Sequence, residues 1–170
     1  MTIQNSTIDD IPEIFRLYTL AVEFQKRKFP ENHWPEFERD LVAKEVNEKR
    51  QFKLIIDQKI VCVWAITYSD PQIWEDADDD NSIFIHRIAT NPEFRGHNFV
   101  KIIVEWAKDL AKSENKKYIR MDTCGHNKHL IAHYKRCGFD FLGLKKLQNT
   151  SDLPAHYHDV EVCFFEIELG

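Results

Sequence analysis

The strongest constraint on the fold is a strand–helix–strand pattern in the second half of the chain. Residues 82–90, rich in Ile and Phe, and residues 117–123 each predict a strand. An apolar stripe at helical spacing predicts a helix over residues 95–113 between them. Two strands joined by a helical crossover pair in parallel. The stripe consists of Phe99, Ile103, Trp106 and Leu110.

Apolar spacing and turn residues predict the remaining elements. The predicted order is a possible short strand, two helices, three strands, a helix, a strand, a helix and two strands. Tight turns join some strands and a helix joins others, so we predict an α/β fold with a mixed sheet and a single domain over residues 1–170. Besides those above, the predicted helices are 8–28, 35–47 and 127–137, and the predicted strands are 52–57, 59–67, 139–147 and 159–169.

Composition excludes several classes of protein. The net charge of −5 over 170 residues argues against a general nucleic-acid binder. The N-terminal residues lack the basic and apolar regions of a secretory signal, and no apolar run approaches the roughly 20 residues that span a bilayer. The four cysteines show no CxxC spacing, which favours reduced thiols. We therefore expect a cytoplasmic protein without a membrane or nucleic-acid partner.

The segment after the strand 82–90 is the first candidate site. A Pro turn leads through Arg95 and Gly96 into the predicted helix. The first N–H groups of a helix have no intrahelical partners and attract anions, so a pyrophosphate would suit this position. An ordinary strand–helix turn with a surface Arg explains the same residues. The chain has only five glycines, whereas phosphate-binding loops are usually rich in them.

A second motif, around residues 127–139, favours the pyrophosphate site over the ordinary strand–helix turn. Together the two segments resemble the GNAT superfamily of acyl-CoA-dependent N-acetyltransferases. The family pattern has a strand, V-x-P-x-x-R-G-x-G-x-G/A, a helix, a strand, and N-x-x-A-x-x-x-Y-x-x-x-G-F. The runs 85–89, 119–122 and 162–166 look like the small-molecule members of the family. The matching residues are Asn91, Pro92, Arg95, Gly96, Asn127, Tyr134, Gly138 and Phe139.

The resemblance implies a fold and a cofactor. The implied sheet is largely antiparallel with a central splayed pair of parallel strands and helices on both faces, and acetyl-CoA lies in the gap between those strands. The backbone of Ile88, Ala89 and Thr90 would pair with the pantetheine arm. The residues implied to hold the rest of the cofactor are Arg95, Gly96, His97, Asn98, Phe99, Val100, Asn127 and Tyr134.

The chain departs from the family pattern at two positions of this loop. Asn98 stands where the family has Gly, and Val100 stands where it has Gly or Ala. Asn tolerates the left-handed backbone region better than most residues, so we expect Asn98 to replace that Gly. The branched side chain of Val100 is bulkier than the family's residue, and we expect it to affect the affinity for CoA and not the fold.

The resemblance also implies catalytic roles. Tyr134 would protonate the leaving thiolate, and a core aromatic residue on the helix 127–137 is the alternative interpretation. The base that deprotonates the amine is open among His86, Asp122 and Glu161. His86 has a suitable ordinary pKa but alternates with core residues, and Asp122 could instead pair with Arg120.

Other patterns support weaker hypotheses. His129 and His133, four residues apart, could share a metal ion, but no third ligand completes the set, so we expect no metal site. The acidic run 75–80 predicts a solvated turn that could steer a cationic amine. Trp34 and Trp74 lie in segments where the acceptor would dock, and either could line its pocket.

The leading function is acetyl transfer from acetyl-CoA to a primary amine of a small molecule or peptide. The alternative is a protein of the same fold that binds CoA weakly or serves as an interaction module. A homodimer is also expected from the resemblance.

Overall fold

The computed structural model describes all 170 residues, and they group into two compact units. The first unit holds residues 1–66 and 86–99, and the second holds residues 67–85 and 100–170. Strand β4 (Ser82–Thr90) contributes residues to both units. No helix is both long and apolar enough to cross a bilayer. The single domain over residues 1–170 stays a prediction.

Antiparallel strands and two long helices build the first unit. Its strands follow the order β1-β2-β3, with β4 next to β3. The turn between β2 and β3 places Asp57 at φ 48° and Gln58 at φ 63°, the two positive φ values of a tight hairpin turn. The predicted hairpin is therefore confirmed. The elements are β1 (Thr2–Asn5), α1 (Ile11–Lys28), α2 (Arg39–Asn47), β2 (Gln51–Ile56) and β3 (Lys59–Thr67).

The first helix begins later than predicted. A short 3-10 turn over Ile8–Asp10 precedes α1, and the Asp10 carboxylate accepts hydrogen bonds from the Thr7 backbone N–H at 2.6 Å and from the Thr7 hydroxyl at 3.0 Å. The buried face of α1 therefore carries Ile14 and Leu17, whereas Ile8, expected in the apolar stripe, is 47% exposed.

The second helix also begins later than predicted, at Arg39 rather than near residue 35. The residues before it are not helical, because the side chains of Trp34 and Phe37 pack edge-on against Tyr18 of α1, with ring centroids 6.0 and 5.4 Å away. Tertiary packing thus overrides a helical pattern in this segment.

The second unit contains a mixed sheet in the order β4-β5-β7-β6. Strands β4 and β5 pair in parallel, with Ser82–Phe84 opposite Tyr118–Arg120, and the other pairs are antiparallel. The predicted α/β class with a mixed sheet and one parallel pair is confirmed. The elements are α3 (Pro71–Trp74), α4 (Phe99–Ser113), β5 (Tyr118–Cys124), α5 (Lys128–Arg136), β6 (Asp140–Lys146) and β7 (Glu161–Glu168).

Each unit has its own apolar cluster. The first unit buries α1 and α2 against its strands through Ile11, Ile14, Leu17, Tyr18, Val42, Val46, Val63 and Ala89. The second packs α3 and the segment before β7 onto the sheet through Ile73, Trp74, Phe84, Leu147, Leu153, Tyr157, Val162 and Phe164. These clusters fix the positions of the segments that carry the candidate site.

Candidate functional site

The candidate site includes the loop Arg95–Asn98, which is predicted to hold the pyrophosphate and which we call the phosphate loop. A 3-10 turn over Pro92–Phe94 leads into it, and α4 follows it directly. Asn91 anchors the turn, since its side chain accepts a hydrogen bond from the Glu93 N–H at 3.1 Å and its own N–H donates to the Val61 carbonyl at 2.8 Å. The helix predicted from residue 95 therefore starts at Phe99, because these loop residues are not helical.

Two residues of the phosphate loop have left-handed backbone. Gly96 has φ 88° and Asn98 has φ 50°. No atom lies within 4 Å of a Cβ placed on Gly96, so its conformation, and not crowding, calls for glycine there. Asn98 thus has the left-handed backbone that Asn tolerates, and its replacement of the family's glycine in cofactor binding stays a prediction. The loop keeps this backbone conformation although one of the family's glycines is absent.

Aromatic contacts hold the side chains of the phosphate loop. The guanidinium of Arg95 lies 4.4 Å from the centre of the Phe24 ring of α1. The His97 ring stacks on Phe99 at 5.6 Å, and Phe99 is itself 4% exposed. A cation held over an aromatic face keeps its charge available at an exposed loop. Val100, the second residue of α4, is half-buried.

The strand residues implied to pair with pantetheine form the end of β4. Ala89 belongs to the apolar cluster of the first unit, and the Thr90 hydroxyl lies 3.6 Å from the Cys62 sulfur. Ile88 is half-buried. His86, a candidate base, is half-buried on the same strand in the first unit, whereas Asp122 and Tyr134 lie in the second.

The second unit holds a carboxylate cluster, which we define as Asp70, Asp122 and Tyr157. The Tyr157 hydroxyl donates a hydrogen bond of 2.7 Å to Oδ2 of Asp122. Burial raises the pKa of Asp122 to about 6, although this hydrogen bond opposes the shift. Burial and the neighbouring charges of Asp122 and Asp78 raise the pKa of Asp70 to about 8. A carboxylate with a pKa near neutrality is suited to accept and release protons at physiological pH.

Three separate segments bring the carboxylate cluster together. Asp122 lies on β5, Asp70 immediately precedes α3, and Tyr157 ends a 3-10 turn over Ala155–Tyr157. Tyr157 is only 8% exposed in the apolar cluster of the second unit. Burial, followed by the charge of Asp122, raises the pKa of Tyr157 well above its ordinary value, so the hydroxyl keeps its proton and donates it.

Sequence reasoning identified Asp122 but missed Asp70 and Tyr157. Asp70 lies between two predicted strands, and its only local signal is the Pro71 that follows it, a common first residue of a helix. Tyr157 lies in a polar segment with no periodic pattern. Neither residue shows a local pattern that would connect it to Asp122.

The alternative pairing of Asp122 with Arg120 is wrong. The Arg120 guanidinium donates hydrogen bonds to Glu166 at 2.7 Å, to Ser82 at 2.8 Å and to the Ala77 carbonyl, and it lies 3.5 Å from Asp79. The two side chains therefore have separate partners, and Arg120 ties the acidic segment to the sheet.

The acidic run 75–80 is only partly the solvated turn that its composition predicts. Asp78 accepts hydrogen bonds from the Ser69 hydroxyl and from the Asp70 N–H, each at 2.8 Å, and Glu75 pairs with Lys145. Asp76 and Asp80 are exposed. Asp78 therefore shapes the segment that carries Asp70.

The second motif forms α5 as predicted. The Asn127 side chain caps this helix by accepting a hydrogen bond from the Leu130 N–H at 3.1 Å, and Gly138 follows it with φ 106°. The Tyr134 ring packs edge-on against Phe165 at 5.1 Å and Phe139 at 6.2 Å. A catalytic acid and a core aromatic residue would both place the Tyr134 ring in this environment. The role of Tyr134 as the acid therefore stays a prediction.

Burial locates three further candidates. Glu161, the third possible base, is exposed at the start of β7. Trp74 is 6% exposed and packs against Phe84 and Phe164, so it belongs to a core and not to a pocket wall. Trp34 is half-buried against Tyr18.

Comparisons with known proteins agree with this description. A model of the Acetyltransferase (GNAT) family matches residues 11–139. The chain belongs to this family of acetyltransferases. It is 30% identical over 74 residues, 44% of this chain and 41% of the relative, to the uncharacterized N-acetyltransferase YesJ of Bacillus subtilis. It is 26% identical over 149 residues, 82% of this chain and 60% of the relative, to an uncharacterized N-acetyltransferase of Methanocaldococcus jannaschii. The aligned parts thus span about two fifths and three fifths of these curated relatives.

Solved structures share the fold. An acetyltransferase of the GNAT family from Listeria monocytogenes superposes with a TM-score of 0.78 at 20% identity, covering 99% of this chain and 94% of that one. The yncA protein of Salmonella typhimurium, solved with its cofactor acetyl-CoA, gives 0.70 at 13% identity, covering 100% and 94%. The ribosomal-protein-S18-alanine N-acetyltransferase of Escherichia coli gives 0.66 at 14% identity, covering 99% and 94%. At these identities the likeness establishes the fold alone.

Proposed function

We propose that this chain is an N-acetyltransferase that moves an acetyl group from acetyl-CoA to a primary amine of a small molecule or peptide. Membership of the GNAT family supports the reaction class. The observation that carries the proposal is the left-handed backbone at both Gly96 and Asn98. It supports a phosphate loop that keeps its conformation despite the missing glycine.

The donor side of the proposed site consists of backbone N–H groups and one charge. Left-handed residues within a turn orient neighbouring N–H groups toward a common point, which suits a pyrophosphate. The N-terminus of α4 follows the loop and adds its unpaired N–H groups. Arg95, held over Phe24, supplies a positive charge. Acetyl-CoA would supply the thioester that is cleaved.

The acceptor side of the proposed site is the carboxylate cluster. An aliphatic amine is protonated at neutral pH and must lose a proton before it can attack. With a pKa of about 6, Asp122 is mostly ionised at pH 7 and accepts that proton. Tyr157 fixes one oxygen of Asp122 by its hydrogen bond, and the carboxylate would accept the proton of the amine. We prefer Asp122 over His86 and Glu161 because its partner and its raised pKa both suit a base.

In the proposed reaction, the acetyl group moves directly from the sulfur of acetyl-CoA to the amine nitrogen. Asp122 takes one proton from the ammonium group and releases it to solvent before the attack. The amine nitrogen then forms a bond with the acyl carbon, the carbon–sulfur bond breaks, and the second proton of the nitrogen passes to Asp122. Tyr134 donates a proton to the departing thiolate, because a phenol with an ordinary pKa near 10 can protonate a thiolate. Solvent later returns a proton to Tyr134 and removes one from Asp122.

One observation favours the alternative of a protein that binds CoA weakly or not at all. Val100 occupies a position where the family has Gly or Ala, and its branched side chain is half-buried at the start of α4. A bulky residue at a helix N-terminus hinders the close approach of a phosphate. This chain would then act as an interaction module.

Calorimetric titration of the protein with acetyl-CoA separates the two functions. Binding well below millimolar cofactor is expected, and a Val100→Ala variant should bind at least as tightly. A panel of primary amines, scored by the release of free thiol, then identifies the acceptor. Absence of binding at millimolar acetyl-CoA would overturn the enzymatic proposal, and an unchanged rate in Tyr134→Phe would remove that residue as the acid.

A further inference from the structure

Arg95 of the phosphate loop differs from the two other arginines that lie over aromatic rings. Arg87 and Arg120 each pair with the carboxylate of a glutamate as well. Arg95 has no carboxylate partner, and its side chain donates no hydrogen bond within the protein. Its guanidinium carbon lies over the ring of Phe24, 4.4 Å from the ring centre. The positive charge of Arg95 is therefore held in place without being neutralised.

The contact with Phe24 leaves the hydrogen-bond donors of Arg95 available. A guanidinium is planar and carries five N–H groups in a fixed fork. Because the ring attracts the cation as a whole, no N–H group of Arg95 is committed to an acceptor in the protein. Such a fork can bind two oxygens of a phosphate at once.

Phe24 is a firm support for this side chain because it belongs to the long helix α1. The core of the first unit fixes α1 through Ile14, Leu17 and Tyr18, and the Phe24 ring itself is half-buried. Arg95 is exposed, and a free arginine side chain loses rotamer freedom when it binds a ligand. A side chain that is already held loses less, so binding costs less free energy.

The composition of this segment makes a pre-positioned charge important. Asn98 and Val100 carry side chains where glycine would leave the backbone open to a phosphate. Hydrogen bonds from the backbone require close approach, whereas a charge attracts an anion over a longer distance. A held guanidinium can therefore offset part of what the missing glycine removes.

We propose that Phe24 is a positioning residue, which holds the guanidinium of Arg95 in place for the pyrophosphate of acetyl-CoA. This inference rests on the proposed function, in which the phosphate loop binds that pyrophosphate. Phe24 acts through Arg95 and supplies no group of its own to the donor.

The first test removes the aromatic ring and keeps an apolar side chain. In Phe24→Leu, the dissociation constant for acetyl-CoA should rise about threefold, the effect of a cation–aromatic contact at an exposed site. The Michaelis constant for acetyl-CoA should rise by the same factor, and kcat should stay unchanged. Phe24→Tyr keeps a ring under the cation and should bind acetyl-CoA as wild type does. Calorimetry and steady-state rates measure these quantities.

The second test is a double-mutant cycle with Arg95→Gln, which removes the cation. This substitution alone should raise the dissociation constant about tenfold, because it deletes hydrogen bonds from a charged group. Adding Phe24→Leu to Arg95→Gln should then cause no further loss, since the ring has no cation left to hold. A ring that only packs α1 would weaken binding by the same factor with and without the cation.

Phe15→Leu is the matched control. Phe15 is another half-buried ring of α1, and it packs edge-on against Tyr18 with ring centroids 5.9 Å apart. Its loss should leave the dissociation constant for acetyl-CoA unchanged, even if thermal stability falls. If Phe24→Leu does not fold, Phe24→Met removes the same ring and takes its place in both tests.

Equal affinities of wild type and Phe24→Leu would overturn the inference, and so would an equal loss in the presence and absence of the Arg95 cation. If the wild-type protein binds no acetyl-CoA, the proposed function fails first. If the wild-type protein binds and transfers while Phe24→Leu has no effect, only the role of Phe24 fails.

Discussion

The phosphate loop and the carboxylate cluster are assembled in opposite ways. The phosphate loop is four consecutive, exposed residues whose conformation depends on their own backbone preferences, as Gly96 and Asn98 show. The carboxylate cluster joins residues 35 positions apart in the case of Asp122 and Tyr157, and an apolar core positions them. A local motif is therefore visible in a sequence, whereas a cluster assembled by packing is not.

The two regions also differ in how a substitution should act. A change in the phosphate loop alters the orientation of its backbone N–H groups, so it should affect the binding of acetyl-CoA. A change in the carboxylate cluster alters proton affinity, so it should affect the rate and its dependence on pH. Predictions for Asp122, Gly96 and Tyr157 test this division, and a substitution with the opposite signature would contradict it. A fourth prediction tests the protonation of Asp70 through stability alone.

The largest effect is expected for Asp122→Asn. The amide still accepts the hydrogen bond from Tyr157 but cannot accept the amine proton, so kcat should fall by about 100-fold or more. The dissociation constant of acetyl-CoA should stay within twofold of wild type. Steady-state rates and calorimetry measure the two quantities. The wild-type rate itself should increase as pH rises through about 6, because Asp122 is then deprotonated.

Asp140→Asn is the matched control for this substitution. Asp140 begins β6 with an exposed side chain, so removal of its charge should leave kcat unchanged. If Asp122→Asn retains the wild-type rate, the base lies elsewhere, and His86 and Glu161 become the next candidates.

Gly96→Ala should produce the next largest effect, on binding. Alanine at φ 88° is strained although nothing blocks its Cβ, so the dissociation constant for acetyl-CoA should rise about tenfold. Gly143→Ala is the control, because Gly143 has φ 117°, equally open surroundings and a position in β6. Both variants should lose stability in thermal unfolding. Equal affinities in the two variants would contradict a binding role for the phosphate loop.

The same contrast explains which parts of the structure could be predicted from the sequence. The order of helices and strands and the parallel pair were predictable because hydrophobic spacing is local, and Asn98 was predictable because few side chains tolerate left-handed backbone. The starts of α1 and α2 were not, since hydrogen bonds between Thr7 and Asp10 hold a 3-10 turn before α1, and contacts of Trp34 and Phe37 with Tyr18 hold the segment before α2. The left-handed backbone of Arg87 was likewise hidden, and its side chain pairs with Glu45, 42 positions away in the chain.

Tyr157→Phe should produce a moderate effect on the pH profile. The hydrogen bond from Tyr157 lowers the pKa of Asp122, so its loss should raise that pKa and move the acid limb of the profile to higher pH, by about one pH unit. Activity should then drop several-fold at pH 6 and recover near pH 8. Tyr68→Phe is the control, since it removes a hydrogen bond of 3.0 Å to Glu114 instead. An unshifted acid limb in Tyr157→Phe would separate Tyr157 from the base.

Asp70→Asn should have the smallest effect, on stability rather than on rate. Because its pKa in the folded protein is raised to about 8, Asp70 retains a proton that the unfolded chain has lost above about pH 4. The folded state binds more protons in that interval, so wild-type stability should fall as pH rises from about 4 to 8. Asparagine does not titrate, so the substitution removes this dependence. Between pH 5 and pH 8, the free energy of unfolding of the variant should fall by ~1 kcal/mol less than that of wild type. Urea unfolding at the two pH values measures the difference, with Asp76→Asn in the exposed part of the acidic run as control. If wild type and Asp70→Asn lose the same stability, Asp70 is ionised in the folded protein, and Asp122 then titrates beside a fixed negative charge.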